Sequence, residues 1–151
     1  MEILESLYII FLIYPFSKNI ARSILKEPKV YLFDSGYVRG DDGTHFENTC
    51  AVSLLKHIYH MQDAHGKQVY LHYLRTKDKR EIDFAIIENE TPTQLIEVKW
   101  ADANISKPLL YFKKKWEGIS AIQLVYLLRQ ERTVRDVSIV KAEKWLSRLN
   151  V

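Results

Sequence analysis

The sequence of 151 residues lacks the marks of a secreted or membrane protein. Its single cysteine, Cys50, excludes an internal disulfide and a cysteine-based zinc site, so a reducing cytoplasm is the expected location. Its strongest apolar run, Leu7–Phe16, is shorter than the roughly 20 residues that a membrane-spanning helix needs. Acidic residues at positions 2 and 5 precede this run, where a signal peptide would be basic. We therefore expect no membrane partner.

The sequence also contains no internal repeat and no Gly-x-x-x-x-Gly-Lys-Ser/Thr phosphate-binding loop. Apolar residues make up 47% and charged residues 27%, which is typical of a packed domain and not of disorder. The length suits one domain with a small appendage. The net charge of +3 is compatible with a nucleic-acid partner, although it does not require one.

Hydrophobic spacing predicts an α/β fold. A lead-in over residues 1–28, with a basic helix or loop at 17–26, precedes a domain over residues 29–151. In that domain we expect a short strand from Lys29, a helix from Thr44 to about His60, and an antiparallel meander of three strands. The strands of the meander are predicted at 69–75, 81–87 and 95–100. A helix at 106–117, two strands at 121–128 and 137–140, and a last helix at 142–149 follow. The whole is a mixed β-sheet flanked by helices.

Three charged residues lie in two predicted strands whose other side chains are apolar. Strand alternation puts Asp83 on one face with Ala85 and Ile87, and puts Glu97 and Lys99 together on one face of the next strand. If these strands form a hairpin, the three charges converge. An unpaired buried carboxylate is costly, so such a group needs a cation, a metal ion or a proton. Two carboxylates can bind Mg²⁺, which activates water, while a lysine can stabilise charge on phosphate.

This arrangement resembles the PD-(D/E)XK (restriction-endonuclease-like) superfamily. More closely, the chain resembles a domain of unknown function found at the C-terminus of bacterial and archaeal AAA-type ATPases. The segments that carry this resemblance are 29–36, 44–48, 73–76 with 81–84, and 96–99. The resemblance implies a restriction-endonuclease-like fold. It implies that Asp83, Glu97 and the helix residue Glu47 bind Mg²⁺ or Mn²⁺, and that Lys99 is the catalytic lysine. It also implies a DNA substrate and an ATPase partner.

Each of these residues also has a simpler interpretation. Thr44 and Glu47 have the spacing of a capping box, in which Glu47 bonds the Thr44 backbone. Lys99 can form a purely structural ion pair with Asp83 or Glu97. A second Glu-x-Lys, at Glu27 and Lys29, is expected to have no catalytic role.

Two surface features also leave alternatives open. The basic runs at Lys77, Lys79 and Arg80 and at 113–115 can contact phosphates or simply be solvated. The aromatic residues of Leu7–Phe16 form either core or a contact with an ATPase domain or second protomer.

The sequence thus favours a Mg²⁺-dependent nuclease-like domain. The alternatives are a non-catalytic sensing or docking module and a DNA-binding module.

Overall fold

A computed structural model describes residues 1–17 and 27–149. These residues form a mixed α/β structure with a two-stranded sheet and a six-stranded sheet. The elements follow in chain order. They are α1 (Glu2–Ser6), β1 (Ile10–Ile13), β2 (Lys29–Leu32), α2 (Asp42–His65), β3 (Val69–Arg75), β4 (Glu81–Glu88), β5 (Thr91–Ala101), α3 (Lys107–Lys113), β6 (Ser120–Leu127), β7 (Arg132–Val134), β8 (Val137–Lys141) and α4 (Ala142–Leu146).

The six-stranded sheet has the order β3-β4-β5-β6-β8-β7. Strands β3, β4 and β5 form the expected antiparallel meander, whereas β6 runs parallel to both β5 and β8. The prediction of a mixed sheet flanked by helices is confirmed. Strand β7 and helix α1 have no counterpart in the prediction, because both are short and largely exposed. Among the described residues, no helix is long and apolar enough to span a membrane.

The two faces of the sheet carry separate hydrophobic clusters. One cluster packs under α2 and includes Cys50, Leu54 and Phe84. The other packs under α3 and includes Ile82 and Leu109. The apolar stripe predicted for α2 is therefore the side that covers the sheet.

Helix α2 begins earlier and ends later than predicted. Its N-cap is Asp41, whose carboxylate accepts a hydrogen bond from the Thr44 amide at 2.8 Å. The predicted capping box is therefore wrong, because Asp41, and not Glu47, accepts the hydrogen bond from the Thr44 amide. The helix ends at Gly66, which adopts the left-handed conformation with a φ of 61°. The two later helices, α3 and α4, each stop several residues before their predicted ends.

The turn between β4 and β5 is also shorter than predicted. It consists of Asn89 and Glu90, both with positive φ, which is the geometry of a tight two-residue hairpin. The strand β5 consequently starts at Thr91 and includes Pro92. The long hairpin that results places β4 and β5 side by side up to Phe84 and Ile96.

The lead-in contributes to the same core as the rest of the chain. Strand β1 pairs with β2, and Phe11 and Ile13 are buried in the cluster under α2. Leu7 and Tyr8, just before β1, are 62% and 77% exposed. The basic segment predicted at 17–26 lies outside the described residues from position 18 onward. The boundary at residue 28 stays a prediction.

Candidate functional site

A β-bulge determines which way Asp83 points. His72 pairs with Ala85 and Leu74 pairs with Ile82, so two residues of β4, Asp83 and Phe84, lie opposite one residue of β3. Such a bulge interrupts strand alternation. Ile82 therefore packs with Ala85 under α3, while Asp83 turns toward α2 and β2. The prediction that Asp83 shares a face with Ala85 and Ile87 is wrong for this reason.

Lys29 lies at the centre of a group of carboxylates. Its Nζ is 2.9 Å from Glu81 Oε1 and 3.3 Å from both Glu47 Oε1 and Asp83 Oδ1. Its side chain is only 21% exposed. Burial alone would lower the pKa of Lys29, but the charges of Asp83 and Glu47 outweigh this effect, with help from Glu81, and raise it. We call Lys29, Glu47, Glu81 and Asp83 the acidic cluster.

Glu47 is held in this cluster by a second contact. The Tyr31 hydroxyl donates a hydrogen bond of 2.7 Å to Glu47 Oε1. Burial and the nearby Glu47 carboxylate raise the pKa of Tyr31, so the phenol remains a donor. Lys29 and Tyr31 are two residues apart in β2 and therefore project from the same side of the strand. The sequence-based alternative of a backbone cap for Glu47 is replaced by these side-chain contacts.

Asp83 is a carboxylate of the cluster whose pKa is strongly raised. Burial and the charge of Glu97 raise its pKa to about 7, against the opposing effect of Lys29. Its other oxygen, Oδ2, accepts a hydrogen bond of 2.9 Å from the Val98 amide. This bond connects β4 to β5 beyond the last paired residues of the two strands. Asp83 is thus fixed at the point where the strands separate.

Glu97 and Lys99 form a pair next to the acidic cluster. Lys99 Nζ lies 2.8 Å from Glu97 Oε1, and the Glu97 side chain is 8% exposed. The second oxygen, Glu97 Oε2, is buried without a hydrogen-bond partner in the described part of the chain. Burial alone would lower the pKa of Lys99, but the hydrogen bond and charge of Glu97 outweigh it and raise that pKa. A buried carboxylate oxygen without a donor is unusual, because it forfeits hydration.

The donor atoms at this site are of the type that Mg²⁺ prefers, namely carboxylate oxygens. The residues that would supply them are Asp83, Glu97 and Glu47. Within residues 1–17 and 27–149, however, no three aspartate, glutamate, histidine or cysteine side chains form a group that could hold a metal ion. The ammonium of Lys29 lies between Glu47 and Asp83 instead. The donor chemistry therefore fits a divalent cation, while the present arrangement accommodates a lysine.

Sequence reasoning missed three members of the site. Lys29 was expected to have no catalytic role, and its contacts with three carboxylates were not foreseen. Glu81 and Tyr31 were not considered. Glu81 lies two residues before Asp83 on the same strand, and Lys29 lies two residues before Tyr31. This period of two was the available signal.

Predicted catalytic and metal-binding roles for Asp83, Glu97, Lys99 and Glu47 stay predictions.

The fold and the site together define a mixed α/β domain with a partly buried acid–lysine cluster. A family model described as a domain of unknown function, DUF4143, matches residues 42–145, and the chain belongs to this family. The family is associated with the C-terminal regions of AAA-type ATPases, and the match is consistent with such a domain. No curated protein and no solved structure matches the chain.

Proposed function

We propose that the chain is a nuclease-like domain that hydrolyses DNA phosphodiesters with Mg²⁺, or with Mn²⁺ in its place. In this proposal it acts in the cytoplasm as the C-terminal part of an AAA-type ATPase protein. The observation that carries the proposal is Glu97 Oε2, which is buried and has no hydrogen-bond partner among residues 1–17 and 27–149. The charge of Glu97 also raises the pKa of the Asp83 carboxyl, so the two carboxylates interact. Lys99 pairs with the other oxygen of Glu97, but an added cation would still offset the repulsion between the two neighbouring carboxylates.

The balance of charge supports a cation at this position. The carboxylates outnumber the cationic groups that pair with them: Glu47, Glu81, Asp83 and Glu97 face Lys29, Arg75 and Lys99. When all seven groups are ionised, the site keeps a net negative charge. A nucleic-acid phosphate would be repelled by that charge unless a cation were added.

Each residue then has a distinct task. Asp83, Glu97 and Glu47 would hold the metal ion, which would polarise the phosphodiester and lower the pKa of water. Lys99, 39% exposed, is the more accessible lysine of the site and orients water or stabilises charge on phosphate. Tyr31 holds Glu47 in place through its hydroxyl. Lys29 offsets part of the negative charge of the acidic cluster, so its ammonium and a bound metal ion would compete.

The test is cleavage of supercoiled plasmid in Mg²⁺ or Mn²⁺ buffer. We expect Asp83→Asn and Lys99→Ala each to lower the rate by a factor of about 100 or more, the size usual for loss of a charge-stabilising group. Asp63→Asn is the matched control, because Asp63 is exposed on α2 and distant in sequence from the site. Equal cleavage by all four proteins, or no cleavage of any DNA or RNA form, would overturn the proposal.

A second candidate is a non-catalytic sensing or docking module with a nuclease-like fold. Two observations favour it. Lys29 already forms ion pairs with three carboxylates, and Leu7, Tyr8 and Ile9 expose apolar surface next to β1. This candidate predicts no rise in melting temperature with Mg²⁺ or Mn²⁺. A metal-dependent rise that Glu97→Gln abolishes would exclude it.

A further inference from the structure

A cleft lies at the end of β3, on the side of the sheet edge that faces α3. Its volume is about 660 Å³, within the range of pockets that hold small ligands. The residues that matter for its chemistry are Tyr73, Arg75, Lys77, Phe112, Lys115 and Trp116. We call this group the basic cleft. It brings together two basic runs that are more than thirty residues apart in the sequence.

The cationic side chains of the basic cleft are not fully compensated. Arg75 lies 3.6 Å from Glu81. Lys77 and Lys115 also line the cleft, and in the described part of the chain no salt bridge joins either lysine to a carboxylate. Glu27 is the one carboxylate among the lining residues, and Lys115 also interacts electrostatically with Asp78 nearby, so Arg75, Lys77 and Lys115 still outnumber the acidic group of the wall. Arg80 lies close by, with its guanidinium 4.4 Å from the ring centre of Tyr111, a further residue of the wall, but it is paired with Asp78 at 3.2 Å and adds no excess charge. A concave site with excess positive charge attracts an anion.

Aromatic side chains form the rest of the wall. The rings of Phe112 and Trp116 are nearly parallel, with an interplanar angle of 11°, and Trp116 is only partly buried. Tyr73 also lines the cleft, and its hydroxyl donates a hydrogen bond of 2.7 Å to the Glu27 carbonyl. Lysines beside partly exposed aromatic rings are the combination that binds unpaired nucleotides, because the phosphate meets charge and the base meets a ring.

We propose that the basic cleft binds a nucleoside phosphate, either an unpaired nucleotide of a nucleic-acid strand or a free nucleotide. Lys77 and Lys115 contact its phosphate, and Trp116 packs against its base. The cleft also adjoins the acidic cluster. Arg75 contacts Glu81, and the Tyr73 ring lies 5.6 Å from Lys29 Nζ. A strand with one nucleotide in the cleft would therefore continue toward Asp83, which would make single-stranded nucleic acid the substrate class of the proposed nuclease.

The binding test is run in EDTA, so that it does not depend on hydrolysis. A labelled oligothymidylate, the same sequence in a duplex, and competing free nucleotides are titrated by fluorescence anisotropy. We expect the Lys77→Gln/Lys115→Gln double variant to bind the single strand about tenfold more weakly. Its salt dependence should fall by about 1.4 in the slope of log affinity against log salt, since two contacts are lost. Trp116→Leu should weaken binding about fivefold or more. Lys56→Gln, an exposed lysine on α2, is the charge control.

Each result bears on a different part of the proposal. Stronger competition by a strand than by free nucleotides identifies an unpaired nucleotide of a strand, and the reverse identifies a free nucleotide. Equal affinities of the double variant and Lys56→Gln would overturn the site. An unchanged affinity of Trp116→Leu, with duplex bound as tightly as single strand, would overturn the stacking of the base. Asp83 does not line the basic cleft, and Asp83→Asn removes a charge that repels phosphate, so this variant should bind the single strand at least as tightly as wild type. Loss of cleavage alone therefore leaves this inference standing.

Discussion

Replacement of Lys29 by methionine tests the central contact of the site. The substitution keeps an unbranched side chain of similar length and removes the charge that lies within 3.3 Å of Glu47, Glu81 and Asp83. The three carboxylates would then repel one another in a partly buried environment. The variant thus separates the role of the ammonium from that of the side-chain volume.

The expected loss follows from the degree of burial. Exposed ion pairs contribute about 0.2–1 kcal/mol, whereas removal of one partner from a buried pair costs about 3–5 kcal/mol. The Lys29 and Asp83 side chains are 21% and 17% exposed, which lies between these cases. We expect a loss of about 2 kcal/mol in the free energy of unfolding near neutral pH. For a domain of this size that corresponds to a fall of about 4–8 °C in melting temperature.

The loss should depend on pH in one direction. Without Lys29 the carboxylates of the cluster bind protons more tightly in the folded state, so the variant loses stability as pH rises. The difference from wild type should therefore be larger at about pH 8 than at about pH 5. Lys29 itself stays charged across this range, because its pKa is raised. Circular-dichroism melts of both proteins at the two pH values measure this difference.

The control is Lys67→Met, since Lys67 forms an ion pair of 3.7 Å with Glu88 and is 44% exposed. It should lose less than about 1 kcal/mol, with no marked pH dependence. An unchanged melting temperature of Lys29→Met at about pH 8, or a larger loss at about pH 5, would refute the assignment of Lys29 as the cation of the cluster.

The same variant tests competition between Lys29 and a divalent cation. With the ammonium removed, Mg²⁺ should stabilise Lys29→Met more than it stabilises wild type. A concentration about 100 times the dissociation constant would add about 2.7 kcal/mol. Equal shifts in the two proteins would show that the ammonium and the metal ion do not share a position.

Three further substitutions test individual contacts. Tyr31→Phe removes the 2.7 Å hydrogen bond to Glu47 and should lower the free energy of unfolding, measured with heat or urea, by about 1–2 kcal/mol. Tyr70→Phe, at an exposed tyrosine, is the control and should change this free energy little. Glu97→Gln should lower the pKa of Asp83, measured by carboxyl NMR, because the Glu97 charge contributes to raising it; an unchanged pKa would argue against this coupling. Because the pKa of Asp83 is raised on folding, protonated Asp83 contributes stability that is fully present below its unfolded pKa and is lost as pH rises through about 7. The Asp83→Asn variant should therefore have a flatter dependence of unfolding free energy on pH between about pH 4 and pH 7. A slope equal to that of wild type would contradict this origin.

Local pattern was sufficient for most of the secondary structure. The meander, the strand at 121–128 and the apolar face of α2 were all predicted, because hydrophobic alternation and helical spacing are local properties. Helix ends were predicted less well. The start of α2 depends on whether Asp41 or Thr44 accepts the first amide, and both residue types are good caps. The face of Asp83 was predicted incorrectly, since no local signal announced the bulge opposite Tyr73.

The sequence by itself determined that a carboxylate would lie in a central apolar strand and that a Glu-x-Lys would follow in the next strand. Those facts depend only on residue order and strand period. The tertiary structure alone decided that Lys29, 54 residues before Asp83, would be the cation beside it. It also decided that Lys77 and Lys115 would share one cleft. Contacts of this kind are set by how the sheet, α2 and α3 pack together, and a one-dimensional pattern carries little information about such packing.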